Sequence, residues 1–127
     1  MTIKPARELV AAANAVVPGL AAADAEALVG RDDVQFVDVR EPAEWEKGHI
    51  PGAVHVPRGL LEFKADPSLP AYHEPRLDAG KRLVVYCASG GRSALASKTL
   101  KDMGYPDVVN LLGGFTGWSE AGKPVER

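Results

Sequence analysis

The chain has a single cysteine, Cys87, in 127 residues. One cysteine excludes an intrachain disulfide, a Cys-x-x-Cys redox pair and a cysteine-rich zinc site. Histidine is also scarce. His49, His55 and His73 are scattered without helical metal-ligand spacing. They read as structural or surface residues, and neither a metal nor a cofactor is expected. Net charge is small, with 15 basic against 17 acidic side chains. Neither nucleic acid nor a membrane surface is therefore an expected partner. Long apolar runs are missing too. The stretch 9–17 follows Glu8, is interrupted by Asn14 and is broken by Pro18-Gly19. It falls well short of the roughly 18 residues that a membrane span needs. It is also a poor secretory signal, which wants a charged start and a continuous apolar centre. A reduced, cytoplasmic setting is expected, where Cys87 stays a thiol. There are no internal repeats and no low-complexity linker.

The chain does have an ordinary globular composition, 46% apolar and 25% charged. Its length suits one domain with a core that needs no staple. Residues 5–17 read as a helix opened by Pro5 and ended by Pro18-Gly19. A second short helix at 21–29 stops at Gly30. These first 30 residues read as an N-terminal helical extension packed on a domain spanning 31–127. Residues 34–39 are rich in β-branched side chains and read as a strand. A turn at Arg40-Glu41-Pro42 leads into a helix over 43–47, which Gly48 closes. Residues 53–56 read as a strand, 59–64 as one or two helical turns, and the proline-rich 66–76 as irregular. Residues 83–86 read as the central buried strand. A helix follows over 92–103, with Leu95, Thr99, Leu100 and Met103 on one face and Gly104 as its C-cap. Residues 108–111 form another strand, Gly113-Gly114 a turn, and 115–121 a last helix. Trp45 and Trp118 read as core aromatics. Strands alternating with helices predict a parallel α/β sheet covered on both faces.

The organising stretch is residues 83–93, LVVYCASGGRS. An apolar strand ends at Cys87, two glycines follow, and a helix begins near Arg92. The carboxyl end of a strand in such a sheet is where ligands bind. A helix start there presents unpaired N–H groups and positive potential, which favour anions and lower a thiol pKa. A lone cysteine after an apolar run is otherwise commonly a small core residue. The glycines and Arg92 favour an activated nucleophile in an anion cradle.

Three stretches together resemble the rhodanese family. They are FVDVREPAEWEKGHIPGAVHVP (36–57), YCASGGRSA (86–94) and GGFTGWSEAGKPV (113–125). The resemblance implies a rhodanese-like α/β fold, with a central five-stranded, mainly parallel sheet and helices on both faces. It implies a sulfurtransferase in which Cys87 carries sulfane sulfur as a persulfide. The donor would be thiosulfate or a persulfide, including a persulfide-bearing protein, and the acceptor cyanide or a thiol. The backbone of Ala88, Ser89, Gly90, Gly91, Arg92 and Ser93 would surround the charged sulfur. Arg92 would either bind the donor's sulfonate or hold the loop in shape. Arg58 and Lys64 are candidates for the cleft mouth, or plain surface charges. Asp38 and Arg40, at the end of the first core strand, would brace the loop as an ion pair. Glu44 is not given a catalytic role. Ala88 departs from thiosulfate-active relatives, which often carry a basic residue there, so thiosulfate is expected to be a poor donor.

Two other functions remain. A phosphatase or arsenate reductase of similar fold would want His-Cys-x-x-x-x-x-Arg. Here Tyr86 replaces the histidine and four residues separate Cys87 from Arg92. A ring of N–H groups that small suits one sulfur better than a tetrahedral oxyanion. A non-catalytic or sulfur-carrier interaction module is the other alternative, since fold alone does not set function.

Overall fold

The computed structural model describes residues 2–127. Five strands form one sheet in the order β1-β5-β4-β2-β3, and every neighbouring pair is parallel. The strands are β1 (Gly19–Leu20), β2 (Val34–Asp38), β3 (Val54–His55), β4 (Arg82–Tyr86) and β5 (Val108–Leu111). The helices are α1 (Ala6–Val16), α2 (Ala22–Glu26), α3 (Pro42–Glu46), α4 (Leu61–Lys64), α5 (Gly91–Met103) and α6 (Gly114–Glu120). A 3-10 turn, Arg58–Leu60, leads into α4.

The two faces of the sheet explain the strand sequences. Side chains alternate across a strand, and here both sides meet apolar partners. Val37, Val39, Leu83, Val85 and Val108 pack with Leu61 of α4 and with Ala96 and Leu100 of α5. Phe36, Val84, Tyr86, Val109 and Leu111 pack with Ala25 of α2 and Trp118 of α6 on the other face. Strands buried on both faces read as near-continuous apolar runs, as VVY and FVDV do. The carboxyl ends of parallel strands share one edge. Central β4, paired with β2 and β5, delivers Cys87 to the middle of that edge.

Three elements differ from the sequence reading. Pro18-Gly19 does not simply end a helix. Gly19 and Leu20 pair with Asn110 and Leu111 as an edge strand. Gly19 is glycine for packing, because a Cβ there would lie 2.6 Å from Leu112 Cδ2. The sheet thus takes strands from both sides of residue 30. The buried face of α5 is not the Leu95, Thr99, Leu100, Met103 stripe. It is Ser93, Ala94, Ala96, Ser97 and Leu100, while Met103 is exposed. The helix lies between the sheet and α1, so small side chains face inward where neighbours approach on two sides. Lys101 Nζ ties the two helices by donating to the Val16 carbonyl at 2.6 Å. Trp118 is fully buried, but Trp45 sits at the margin of the core. Its indole is stacked on His49 at 3.5 Å and on His55 at 4.8 Å.

Candidate active site

Cys87 follows the last residue of β4 and is 1% exposed. Its sulfur is ringed by donors from its own loop. The N–H of Gly90 donates to Sγ at 3.1 Å and that of Ser93 at 3.4 Å. The Ser93 hydroxyl oxygen lies 3.3 Å from Sγ. Gly90 makes the ring possible. Its φ of +124° lies where side-chain-bearing residues rarely go, and it turns its amide inward just ahead of α5. Burial pushes the Cys87 thiol up. Hydrogen bonds within the loop outweigh it, and those that stabilise the thiolate come from the N–H groups of Ser93, Gly90 and Ser89. The net shift is below the ordinary thiol range. Ala88 is half-buried and brings no charge. Gly91 opens α5.

The loop is held from behind by α6. The N–H of Phe115 donates to the Cys87 carbonyl at 2.8 Å, and that of Thr116 donates to the Ala88 carbonyl at 3.0 Å. Two carbonyls are thereby fixed, and the N–H of Ser89, in the same peptide unit as the Ala88 carbonyl, is left for the sulfur. Gly114 permits this approach. Its φ is +56°, and a Cβ there would lie 2.5 Å from the Ala88 oxygen. The glycine pair read from sequence as a turn is therefore part of the loop's support.

Arg92 points to Glu44, not to open solvent. Nη1 and Nη2 meet the two carboxylate oxygens at 2.7 and 3.0 Å. The backbone N–H of Glu41 also donates to Glu44 Oε1, at 3.1 Å. Glu44 is held down to about 2 by Arg92 first, then by that N–H. The bidentate pair ties the start of α5 to α3. The sequence sets Glu44 beside Asp38 and Arg40 as a residue without a catalytic role, and gives no sign of its partner. Asn110 was missed altogether. It is 4% exposed, its Oδ1 accepts from the Ser93 hydroxyl at 2.6 Å, and its Nδ2 donates to the Gly90 carbonyl at 3.3 Å. The available signal was a lone amide in the otherwise apolar strand VVNL.

Asp38 and Arg40 form a buried ion pair, with Nη2 to Oδ2 at 2.7 Å. Arg40 also donates to the Gly48 carbonyl at 2.7 Å and lies over the Phe115 ring at 4.3 Å. Burial works against the charge on Arg40, but Asp38 more than restores it. The pair joins the end of β2 to the 48 turn and to α6. Arg58 is engaged by Glu62 at 2.9 Å and by Thr99 at 3.2 Å. Lys64 is half-buried at the end of α4. Neither hydrogen-bonds to the cysteine loop. Among the described residues, no group of three or more His, Cys, Asp or Glu side chains is placed to hold a metal ion.

A parallel α/β sheet with a cysteine cradled by N–H donors at its central strand end defines a class suited to sulfur or anion chemistry. The model of the rhodanese-like domain matches residues 21–121, and the chain belongs to that family. A sulfurtransferase of Allochromatium vinosum is 35% identical over 98 residues, covering 77% of this chain and 83% of the relative. The Bacillus subtilis protein named "Putative sulfur carrier protein YrkF" is 35% identical over 88 residues, 69% of this chain. The chain spans only 43% of that relative's length. A solved structure from Rhodopseudomonas palustris has a TM-score of 0.92 at 45% identity, covering 99% of this chain and 98% of that one. That protein, RPA3614, is described as of unknown function and as a "Possible Tyrosine Phosphatase".

Proposed function

We propose that this protein is a sulfurtransferase that carries sulfane sulfur on Cys87. The observation behind this reading is the ring of N–H donors on Sγ, closed by Gly90 and Ser93 at 3.1 and 3.4 Å. In the first step the Cys87 thiolate attacks the outer sulfur of a donor. With thiosulfate, the new S–S bond forms as the old one breaks, and sulfite leaves with the bonding pair. Cys87 then holds a persulfide, and its terminal negative sulfur is stabilised by the same fixed dipoles. In the second step a nucleophile takes the outer sulfur and returns the thiolate. Cyanide leaves as thiocyanate and a thiol as a persulfide. Two half-reactions through a covalent intermediate predict ping-pong kinetics.

Donor choice follows from charge. Position 88 carries no cation, and Arg92 is bound to Glu44. A doubly charged sulfonate finds little to meet, so a small or protein-borne persulfide fits better than thiosulfate. The protein needs Cys87 reduced, which a cytoplasmic setting provides. Among the described residues, no helix is long and apolar enough to cross a membrane. The sulfur-carrier name of the Bacillus relative supports a second reading, in which the persulfide is delivered to one protein partner and free turnover is slow.

A phosphatase reading, suggested by the description of the Rhodopseudomonas protein, is disfavoured. The arginine that would clamp a phosphate already holds a carboxylate on both nitrogens.

The test is thiocyanate formation from cyanide with thiosulfate and with a glutathione persulfide, with an aryl phosphate as control. Turnover faster with the persulfide, parallel double-reciprocal lines and none of either in Cys87→Ser are expected. The rate of the first step should fall as pH drops through the thiol pKa, which lies below the usual value. Cys87-dependent phosphate release without sulfur transfer would overturn the reading.

A further inference from the structure

The Ser93 hydroxyl has one proton and three acceptors within reach. Asn110 Oδ1 is at 2.6 Å, the Gly90 carbonyl at 3.2 Å and Cys87 Sγ at 3.3 Å. The neighbours of Asn110 decide which one receives it. Asn110 Nδ2 faces the Gly90 carbonyl at 3.3 Å, and an amide nitrogen there has a partner only as a donor. That fixes the side-chain amide, so Oδ1 must face Ser93. Oδ1 is acceptor only, and its short contact with Ser93 therefore takes the hydroxyl proton. The Gly90 carbonyl is also occupied by the Ala94 N–H at 3.0 Å. The chain of bonds then runs in one direction, from Sγ–H to Ser93 Oγ, and from Oγ–H to Asn110 Oδ1.

We propose that Asn110 is a positioning residue that turns the Ser93 hydroxyl proton away from Cys87, so that the reacting sulfur takes no hydrogen bond from that hydroxyl. This deepens the sulfurtransferase reading and rests on it for its purpose. A thiolate that gives less of its charge to hydrogen bonds is the stronger nucleophile, because nucleophilicity falls as a thiol's pKa falls. Backbone amides steady the charge, and the hydroxyl is withheld. Ser93 and Asn110 are both buried, so water does not replace either partner.

The surroundings make the prediction clean, because few charges face the sulfur. On the cysteine loop there is Arg92, bound to Glu44 from α3 and near enough to Cys87 to interact with it, a charge that stays in place in every variant compared. From the end of β2 come Asp38 and Arg40, paired with each other. Tyr86, which precedes Cys87, is kept neutral by burial first and by Asp38. β5 (VVNL) and the start of α6 (GFTGW) bring no titratable side chain.

The experiment titrates Cys87, the protein's single thiol, by iodoacetamide alkylation rate and by thiolate absorbance across pH. Asn110→Ala frees the Ser93 hydroxyl to donate to the thiolate. The expected shift of the thiol pKa is downward by about one unit, the worth of one hydrogen bond to a charged group. The same substitution in a Ser93→Ala background should leave the pKa of that background unchanged. Asn110→Leu, which keeps the volume, should repeat the downward shift should the alanine variant fold poorly. If Asn110 only stiffens the loop, its loss loosens the amide ring and the pKa rises. An upward or absent shift, or a shift that persists without the Ser93 hydroxyl, overturns the proposal. No sulfur donor is used, so the outcome is separate from whether Cys87 carries sulfur.

Discussion

At the scale of single residues, the unexpected partnership is Arg92 with Glu44. An arginine five positions after a nucleophilic cysteine invites a substrate-binding role. The bidentate contact at 2.7 and 3.0 Å supports a structural one. Both side chains are about a third to two-fifths exposed, so the pair adds modestly to stability, and its value lies in setting the angle of the loop. The two roles predict opposite outcomes for Glu44→Ala. If Arg92 braces, then Glu44→Ala and Arg92→Ala each lower kcat/KM, by roughly fivefold for about 1 kcal/mol of coupling, and the double variant is no worse than either single one. If Arg92 binds donor, Glu44→Ala releases it and thiosulfate use improves. Steady-state kinetics of the three variants decide between them. Cys87, Gly90 and Arg92 were legible in the sequence because a strand, glycines and a helix start follow in a few residues. Glu44 and Asn110 were not. Each is joined to the loop only by folding, across 48 and 20 positions respectively, and neither has a local pattern that points to a partner.

At the scale of elements, the cysteine loop is a layer between α5 and α6. α5 begins inside the loop, and α6 ends its slack by donating to the carbonyls of Cys87 and Ala88. Gly114 is the point of closest approach. A methyl group there would sit 2.5 Å from the Ala88 oxygen in a backbone conformation of φ +56°. Gly114→Ala is expected to cost about 2 kcal/mol or more in stability. It should also raise the Cys87 thiol pKa, since moving Ala88 misaligns the N–H groups that follow. Chemical denaturation and thiol titration check the two effects separately. Gly113→Ala, at φ +80° with Gly117 Cα 3.8 Å away, carries strain without the clash and should move the pKa less. The sequence showed a turn at this pair of glycines. It did not show what the turn leans on, because a close approach between distant backbones leaves no periodicity to read.

At the scale of the whole molecule, the sheet edge that carries Cys87 and the residues of α1 and β1 belong to one packed unit. β1 pairs with β5, and β5 carries Asn110 beside the cysteine loop. α1 lies along α5, with Ala13 and Val17 buried and Lys101 bonded to the Val16 carbonyl. Removing residues 1–20 should uncover the edge of β5 and the outer face of α5. A loss of roughly 5 °C or more in Tm and association through the freed edge are expected, read by calorimetry and light scattering. A fully monomeric truncated chain of unchanged Tm would show that α1 and β1 add nothing to the domain. The fold class was legible because four strands and their intervening helices alternate in composition. The fifth strand is two residues long and contains the glycine that looked like a helix breaker, so propensity pointed the wrong way and tertiary packing decided.

The central claim is that Cys87 carries transferable sulfur, and the intact mass of the protein tests it most directly. The protein is incubated with thiosulfate or with a glutathione persulfide, weighed, treated with cyanide and weighed again. The account predicts a gain of one sulfur atom, greater in yield with the persulfide, absent in Cys87→Ser and reversed by cyanide. A folded protein that gains no sulfur from either donor would contradict it.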